Sequence, residues 1–300
     1  MDAIGPVPDV DEGRIDWTRG ALYGVASAAL FGLSAPLSKR LLPAIGPMLL
    51  AGLLYLGAGA GLTIVSIIRG RPWPRFKRKD WWRLSLIALV GGFAGPTLLL
   101  VGLQRVSGVL GALLLNLEAV FTMVLAGVFF RDRLAAREWA GALLIVSGAA
   151  VVSYRPGEIT ADWTGVLAVA AACLCWGLDN NLLQRVSSYD PVSVVQIKAL
   201  SAGTISVFLA LSLGQRLVGA SVLPAALGLG FVCYGISIVF DVYALRYLGA
   251  AREAAFFATA PFLGALAAVP LLGDRLTRTD AVGAGLMAVG VATFRYRAGS

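Results

Sequence analysis

Long apolar runs alternate along the chain with short segments that carry most of the charges and turn residues. A helix needs about 17 to 25 mainly apolar residues to cross a bilayer, and the pattern provides ten such runs. They lie at 18–39, 46–68, 83–105, 107–130, 136–154, 163–186, 190–213, 220–246, 250–272 and 279–296. The pattern therefore predicts an all-α integral membrane protein with ten transmembrane helices.

The second half of the chain repeats the order of features in the first half. Asp16-Trp17-Thr18 opens a run that ends in Phe31-Gly32, and 145 positions later Asp162-Trp163-Thr164 opens a run that ends in Trp176-Gly177. Because each repeat holds an odd number of spans, the second must enter the membrane inverted relative to the first, with a substrate site between them. The predicted parts are a short N-terminal tail at 1–16, repeat one at 17–157 and repeat two at 158–300.

Glycine, proline and aspartate positions predict local details of these helices. Gly141 and Gly148 in span five, with Gly283 and Gly290 in span ten, place small residues a heptad apart and predict close packing of the two helices. Gly91-Gly92 and Gly95-Pro96 should loosen span three, and Pro261 should kink span nine. Asp132 and Asp274 stand in short turns before helices and are predicted to cap helix ends.

The composition agrees with a membrane protein and excludes several functions. Apolar residues make up 58% of the 300 positions, and charged residues make up 14%. The mean hydropathy is +0.80, so too few polar side chains exist to cover a water-soluble surface. The chain has no Gly-Lys dipeptide, which argues against a phosphate-binding loop and direct use of ATP. It also has no histidine, so a proton relay would have to use carboxylates, with lysine or tyrosine assisting. We expect no cofactor, no metal, no nucleic-acid partner and no enzymatic activity.

The distribution of lysine and arginine predicts the orientation. With the N-terminus inside, 17 of these residues fall on the cytoplasmic side and seven on the outer side. The positive-inside rule then places both termini in the cytoplasm. We expect a multi-pass protein of the cell (inner) membrane, with the lipid bilayer and a small-molecule substrate as its partners and a monomer as its state.

Four ionisable residues inside the spans are the main candidates for a substrate site, because a buried charge is costly unless it is paired or faces a wet cavity. They are Glu118, Asp179, Lys198 and Asp241. Asp179 and Lys198 lie nine to ten residues on either side of the turn between spans six and seven, so they sit at equal depth and can pair. The pair is either structural or part of a site. For Glu118 the alternatives are a structural hydrogen bond to a neighbouring helix or a protonated, functionally silent acid, and for Asp241 the alternative is snorkelling toward water or Arg246.

Further candidates combine an aromatic side chain with a polar group on one helix face, which suits an amphipathic substrate. Trp176 shares a face of span six with Asp179, and its repeat equivalent Phe31 shares a face of span one with Ser34. Tyr234 lies on the face of span eight that carries Asp241, and Asn116 lies near Glu118. Lipid-facing or packing roles are the alternatives for these residues.

Several of these features together resemble the tandem EamA repeats of the drug/metabolite transporter superfamily. They are Phe31-Gly32 and Trp176-Gly177, the Leu54-x-x-x-Ala58 and Lys198-x-x-x-Ala202 positions, Ala260-Pro261-Phe262, and the turn Gly273-Asp274-Arg275-Leu276. The resemblance covers nearly the whole chain and implies two inverted five-helix repeats that work by alternating access. Within the superfamily the chain most resembles the YddG-type aromatic amino-acid exporters.

The resemblance and the candidate residues together predict an exporter of small amphipathic metabolites such as aromatic or other neutral amino acids. A transporter of drugs, nucleosides or phosphorylated compounds is the alternative, and a membrane-embedded enzyme is a more remote one. A phosphorylated substrate would call for several cations deep within the membrane, whereas Lys198 is the one lysine or arginine that lies away from the ends of the predicted spans.

Overall fold

The computed structural model describes residues 17–71, 75–130, 136–153, 162–186, 189–216, 219, 222–248 and 256–294. Every regular element in these ranges is a helix. The first half contains α1 Trp17–Leu41, α2 Pro47–Ile68, α3 Trp81–Leu86, α4 Gly95–Leu103, α5 Gly108–Leu114, α6 Leu117–Phe130 and α7 Ala136–Ser153. The second half contains α8 Trp163–Arg185, α9 Pro191–Ser212, α10 Val222–Gly230, α11 Ser237–Leu248, α12 Ala260–Leu272 and α13 Arg278–Phe294.

Seven helical stretches in the described part of the chain are long and apolar enough to cross a membrane. They correspond to α1, α2, α3 with α4, α5 with α6, α8, α9, and α10 with α11. Two shorter apolar helices, Trp139–Ser153 and Ala260–Leu272, occupy predicted spans five and nine, and α13 occupies predicted span ten. The all-helical membrane fold is thus confirmed, and the count of ten crossings stays a prediction.

The helices pack in a pattern that is unchanged when the two halves are exchanged. α1 packs on α11 and α12, and its repeat equivalent α8 packs on α4 and α6. The second helices of the halves, α2 and α9, pack on each other, as do α7 and α13. This is the contact pattern expected of two repeats related by a pseudo-twofold axis.

The glycines of α7 and α13 bring the two helices into backbone contact, as predicted. A Cβ at Gly141 would lie 2.8 Å from the carbonyl oxygen of Gly290, and a Cβ at Gly148 would lie 2.7 Å from that of Gly283. Because the earlier glycine of one helix meets the later glycine of the other, these two equivalent helices run antiparallel. Antiparallel equivalents are what inverted repeats require.

The third span of each half contains a π-helical segment at its centre. Ile87–Ala94 joins α3 to α4, and Phe231–Ile236 joins α10 to α11. The two segments start 144 positions apart, which matches the repeat. The predicted loosening of span three is confirmed, and its form is a π-helix, an element often found at functional sites.

The fourth span of the first half and its counterpart in the second half are both interrupted. The chain turns at Leu115 and Asn116 between α5 and α6, a break that the sequence did not predict. In the second half α12 begins at Ala260, so Pro261 stands in its first turn. Proline costs little there because its missing N–H would have no helical partner. The prediction of a kink at Pro261 is therefore corrected: this proline lies at the start of a helix, and not at a bend within one.

Asp274 caps a helix, as predicted, although the helix belongs to the other repeat. Its carboxylate accepts a hydrogen bond of 2.9 Å from the backbone N–H of Val109 at the start of α5. The helix that follows in sequence is instead capped through Thr277 and Asp280. Asp132 lies outside the described residues.

Candidate functional site

The predicted ion pair between Asp179 and Lys198 forms at the centre of the helix bundle. Asp179 comes from α8 and Lys198 from α9, and the lysine Nζ donates to Oδ2 of the aspartate. The two side chains are only 3% and 6% exposed. Such a pair is costly to desolvate and is strongly destabilised if one member is removed.

Gly91 in the π-helical segment of span three forms one wall of this centre. Its carbonyl oxygen accepts hydrogen bonds from Tyr55 Oη at 3.1 Å and from Trp176 Nε1 at 2.9 Å. A Cβ at position 91 would lie 2.1 Å from Cγ of Asp179. Only glycine leaves room for the carboxylate at this position, and its backbone holds two of the surrounding aromatic side chains.

Five aromatic rings from five spans form a cluster that reaches the ion pair through Tyr55 and Trp176, the two side chains that bind the Gly91 carbonyl. We call this cluster the aromatic box. Phe31 lies 6.2 Å from Trp176, 6.0 Å from Tyr234 and 5.2 Å from Phe257, measured between ring centroids. Tyr55 closes the group at 5.5 Å from Tyr234. These distances are typical of interacting aromatic pairs, and Tyr55, Trp176 and Tyr234 are almost fully buried.

Five buried side-chain oxygens have no hydrogen-bond partner in the described part of the molecule. They are Asp179 Oδ1, Tyr234 Oη, Ser34 Oγ, Ser38 Oγ and Thr97 Oγ1. Ser34 and Ser38 on α1 lie near the Tyr234 hydroxyl but outside hydrogen-bond geometry. A buried polar atom without a partner is unfavourable and calls for water or a ligand. The unsatisfied atoms are therefore where a polar ligand would gain most.

A second polar network links α8 to α6 next to the ion pair. Asn180, which follows Asp179 in sequence, donates to Glu118 Oε1 at 2.8 Å and lies 3.4 Å from Thr122 Oγ1. Asn181 donates to the carbonyl oxygen of Thr122 at 3.0 Å. Glu118 is thus held on the repeat interface, with a hydrogen-bond donor already in place.

The structure brings together six of the nine predicted site residues and extends the set. Phe31, Ser34, Trp176, Asp179, Lys198 and Tyr234 belong to the centre or its wall, and Glu118 adjoins it through Asn180. Asn116 points elsewhere: its Nδ2 donates to Leu113 O at 3.0 Å and contacts Met287 Sδ at 3.7 Å. Asp241 lies half-buried on α11, one turn beyond Ser237.

Three participants of the centre were not among the predicted site residues. Tyr55 and Phe257 complete the aromatic box, and Asn180 holds Glu118. Tyr55 is the one tyrosine of predicted span two, and its phenol hydroxyl was the signal that could have found it. Among the described residues no three histidine, cysteine or carboxylate side chains gather in a metal site.

Comparison with known proteins places this geometry in a family. The model of the EamA-like transporter family matches the chain twice, over residues 18–154 and 163–296. A solved crystal structure of another protein has the same fold, with a TM-score of 0.69 and 21% identity, covering 92% of this chain and 96% of that one.

Several curated relatives are named as transporters or exporters. An uncharacterized transporter of Methanothermobacter thermautotrophicus is 28% identical over 291 residues, which cover 91% of this chain and 84% of the relative. A probable terminal-alkyne amino-acid exporter of Streptantibioticus cattleyicolor is 27% identical over 231 residues, covering 74% and 76%. The uncharacterized inner membrane transporter YedA of Escherichia coli is 20% identical over 250 residues, covering 82% and 80%.

Proposed function

The chain belongs to the EamA-like transporter family, and we propose that it exports small neutral amphipathic metabolites, with aromatic and other neutral amino acids as the preferred class. It is a multi-pass membrane transporter of the drug/metabolite transporter superfamily. The binding site in this proposal is the ion pair of Asp179 and Lys198 with the aromatic box beside it.

One observation carries the proposal: a buried carboxylate and a buried ammonium face each other at the side of the aromatic box that holds Tyr55 and Trp176, and the carboxylate keeps one unpaired oxygen. A zwitterionic amino acid carries the complementary charges. Its ammonium group would bind the Asp179 carboxylate, and its carboxylate would bind Lys198. Its apolar side chain would contact the aromatic box.

The ion pair also explains, in this proposal, how the two charges stay stable between transport cycles, when no substrate is bound. Without substrate the two charges satisfy each other, because neither is stable alone in an apolar interior. With substrate bound, Asp179 exchanges the lysine ammonium for the substrate ammonium, and Lys198 exchanges the aspartate carboxylate for the substrate carboxylate. The net charge of the site therefore stays constant. A neutral zwitterion fits this exchange better than a phosphorylated compound, which would bring uncompensated negative charge.

Access to the centre requires the two halves to move against each other. Tyr55, Trp176 and Tyr234 are each no more than 5% exposed, so a substrate reaches the site only when the packed helices separate. We propose alternating access by rocking of the inverted repeats around the site. Both termini lie in the cytoplasm in this scheme, as the charge distribution predicts.

The Streptantibioticus relative supports the substrate class, since its name describes that protein as a probable amino-acid exporter. Transport by the purified full chain into proteoliposomes tests the class directly. A panel of aromatic, aliphatic and charged amino acids, nucleosides and sugar phosphates should show uptake of neutral amino acids without added nucleotide. Protein-free liposomes and liposomes with the Lys198→Met variant are the controls. Uptake of sugar phosphates or nucleosides with none of neutral amino acids would contradict the proposal.

A further inference from the structure

We propose that a basic recess at the membrane surface binds the phosphate of an anionic phospholipid headgroup. The recess has a volume of about 440 Å³ and lies between the loop that precedes α3 and the segment that joins α8 to α9. Its lining residues are Lys77, Lys79, Asp80, Arg83, Arg185 and Tyr189. This site is independent of the transport centre.

The charges that line the recess favour an anion. Four cations surround one carboxylate, and that carboxylate is already engaged. Asp80 accepts a hydrogen bond of 2.8 Å from the Tyr189 hydroxyl and pairs with Arg83 at 2.5 Å. The Tyr189 hydrogen bond first, and the Arg83 guanidinium after it, lower the pKa of the Asp80 carboxyl, so it is ionised at neutral pH. Cations therefore outnumber carboxylates in the lining by four to one.

The recess is held in shape by contacts between the loop and the start of α9. The Tyr189 hydroxyl accepts a hydrogen bond of 3.0 Å from the backbone N–H of Lys77. The Phe76 ring lies 5.0 Å from Tyr189 and 5.9 Å from Trp81. The backbone that carries Lys77 is therefore held in place, so binding does not have to order this part of the loop.

The surroundings of the recess indicate a lipid rather than a soluble anion. Trp81 and Trp82, at the start of α3, are 45% and 58% exposed, and the Arg83 guanidinium lies 5.1 Å from the Trp82 ring centroid. Exposed tryptophans at the end of a membrane helix mark the headgroup level. Basic pockets at this depth between transmembrane helices are suited to anionic headgroups.

The test measures lipid binding to the purified full chain by native mass spectrometry. Phosphatidylglycerol is compared with phosphatidylcholine and with inorganic phosphate for three proteins. They are the native chain, the double variant Lys77→Gln with Lys79→Gln, and the control double variant Arg75→Gln with Arg78→Gln. The control removes the same charge from the same loop, at exposed positions that do not line the recess. Circular dichroism checks that all three have the same helix content.

We expect the Lys77 and Lys79 variant to bind phosphatidylglycerol about 25-fold more weakly than the native chain, since each cation that contacts the headgroup contributes about a fivefold factor. The control should lose less than about threefold. An equal loss in both variants, or equal binding of phosphatidylcholine, would overturn the site. Displacement of phosphatidylglycerol by equimolar inorganic phosphate would make the ligand a soluble anion and overturn the assignment to lipid.

Discussion

Replacement of Lys198 by methionine is expected to abolish transport and to lower the stability of the protein, whereas adding Asp179→Asn to it restores the stability and leaves transport abolished. Lys198→Met leaves the Asp179 carboxylate buried, with neither oxygen paired. Removing one member of a buried ion pair costs about 3–5 kcal/mol. The double variant replaces two charges by two neutral groups of similar volume, so this cost disappears.

The transport rate of the double variant distinguishes a structural role of the ion pair from a role in substrate binding. A pair that only fixes α8 against α9 would give a double variant that both folds and transports. A pair that binds the substrate gives a folded and inactive double variant. Thermal unfolding in detergent measures stability, and amino-acid counterflow in proteoliposomes measures transport. A double variant that transports at the native rate would remove both residues from the site.

Lys39→Met is the matched control for the loss of a membrane lysine. Lys39 donates hydrogen bonds to the carbonyl oxygens of Leu103 and Val106 at the end of α4, away from the aromatic box. Its replacement should lower stability because it leaves helix-end carbonyls without a donor. The folded fraction should transport as the native protein does.

Gly91→Ala should reduce transport at least tenfold by displacing the Asp179 carboxylate. The new Cβ would lie 2.1 Å from Cγ and 2.2 Å from Oδ1 of Asp179, distances that no packing tolerates. Overpacking of this kind typically costs about 1–3 kcal/mol, and here the strain falls on the residue that binds the substrate. The carbonyl that holds Tyr55 and Trp176 would shift with it.

Gly228→Ala is the control for a glycine in a membrane helix. Gly228 lies in α10, and a Cβ there meets no atom within 4 Å in the described part of the molecule. Alanine is the better helix former by about 1 kcal/mol, so this variant should be as stable as the native protein and fully active. Native transport by Gly91→Ala would show that the tight contact with Asp179 has no functional role.

The sequence predicts the ion pair well because helix geometry converts distance from a turn into depth. Asp179 and Lys198 lie at similar distances from the turn between α8 and α9, and they do pair. The glycine contacts of α7 with α13 are predictable for a similar reason, since a heptad spacing keeps small residues on one face. Both predictions need only positions along a helix.

The rotation of each helix about its axis is harder to predict in a membrane protein. Apolar residues cover lipid-facing and buried faces alike, so hydrophobic periodicity does not show which face is inside. For this reason Tyr55 was not among the predicted site residues, and Asn116 was expected near the site although it turns toward Met287. The helix break at Leu115 was not predicted because no proline lies next to it in the sequence.

Counterflow with analogues of a single amino acid tests the substrate role of Asp179 and Lys198 most directly. Proteoliposomes loaded with phenylalanine are exposed to labelled phenylalanine, phenethylamine, which has no carboxylate, or 3-phenylpropionate, which has no ammonium group. If both charges of the pair bind the substrate, only phenylalanine should exchange rapidly, because each analogue leaves one buried charge without a partner. Exchange of either analogue as fast as phenylalanine would contradict the binding of a zwitterion by this ion pair.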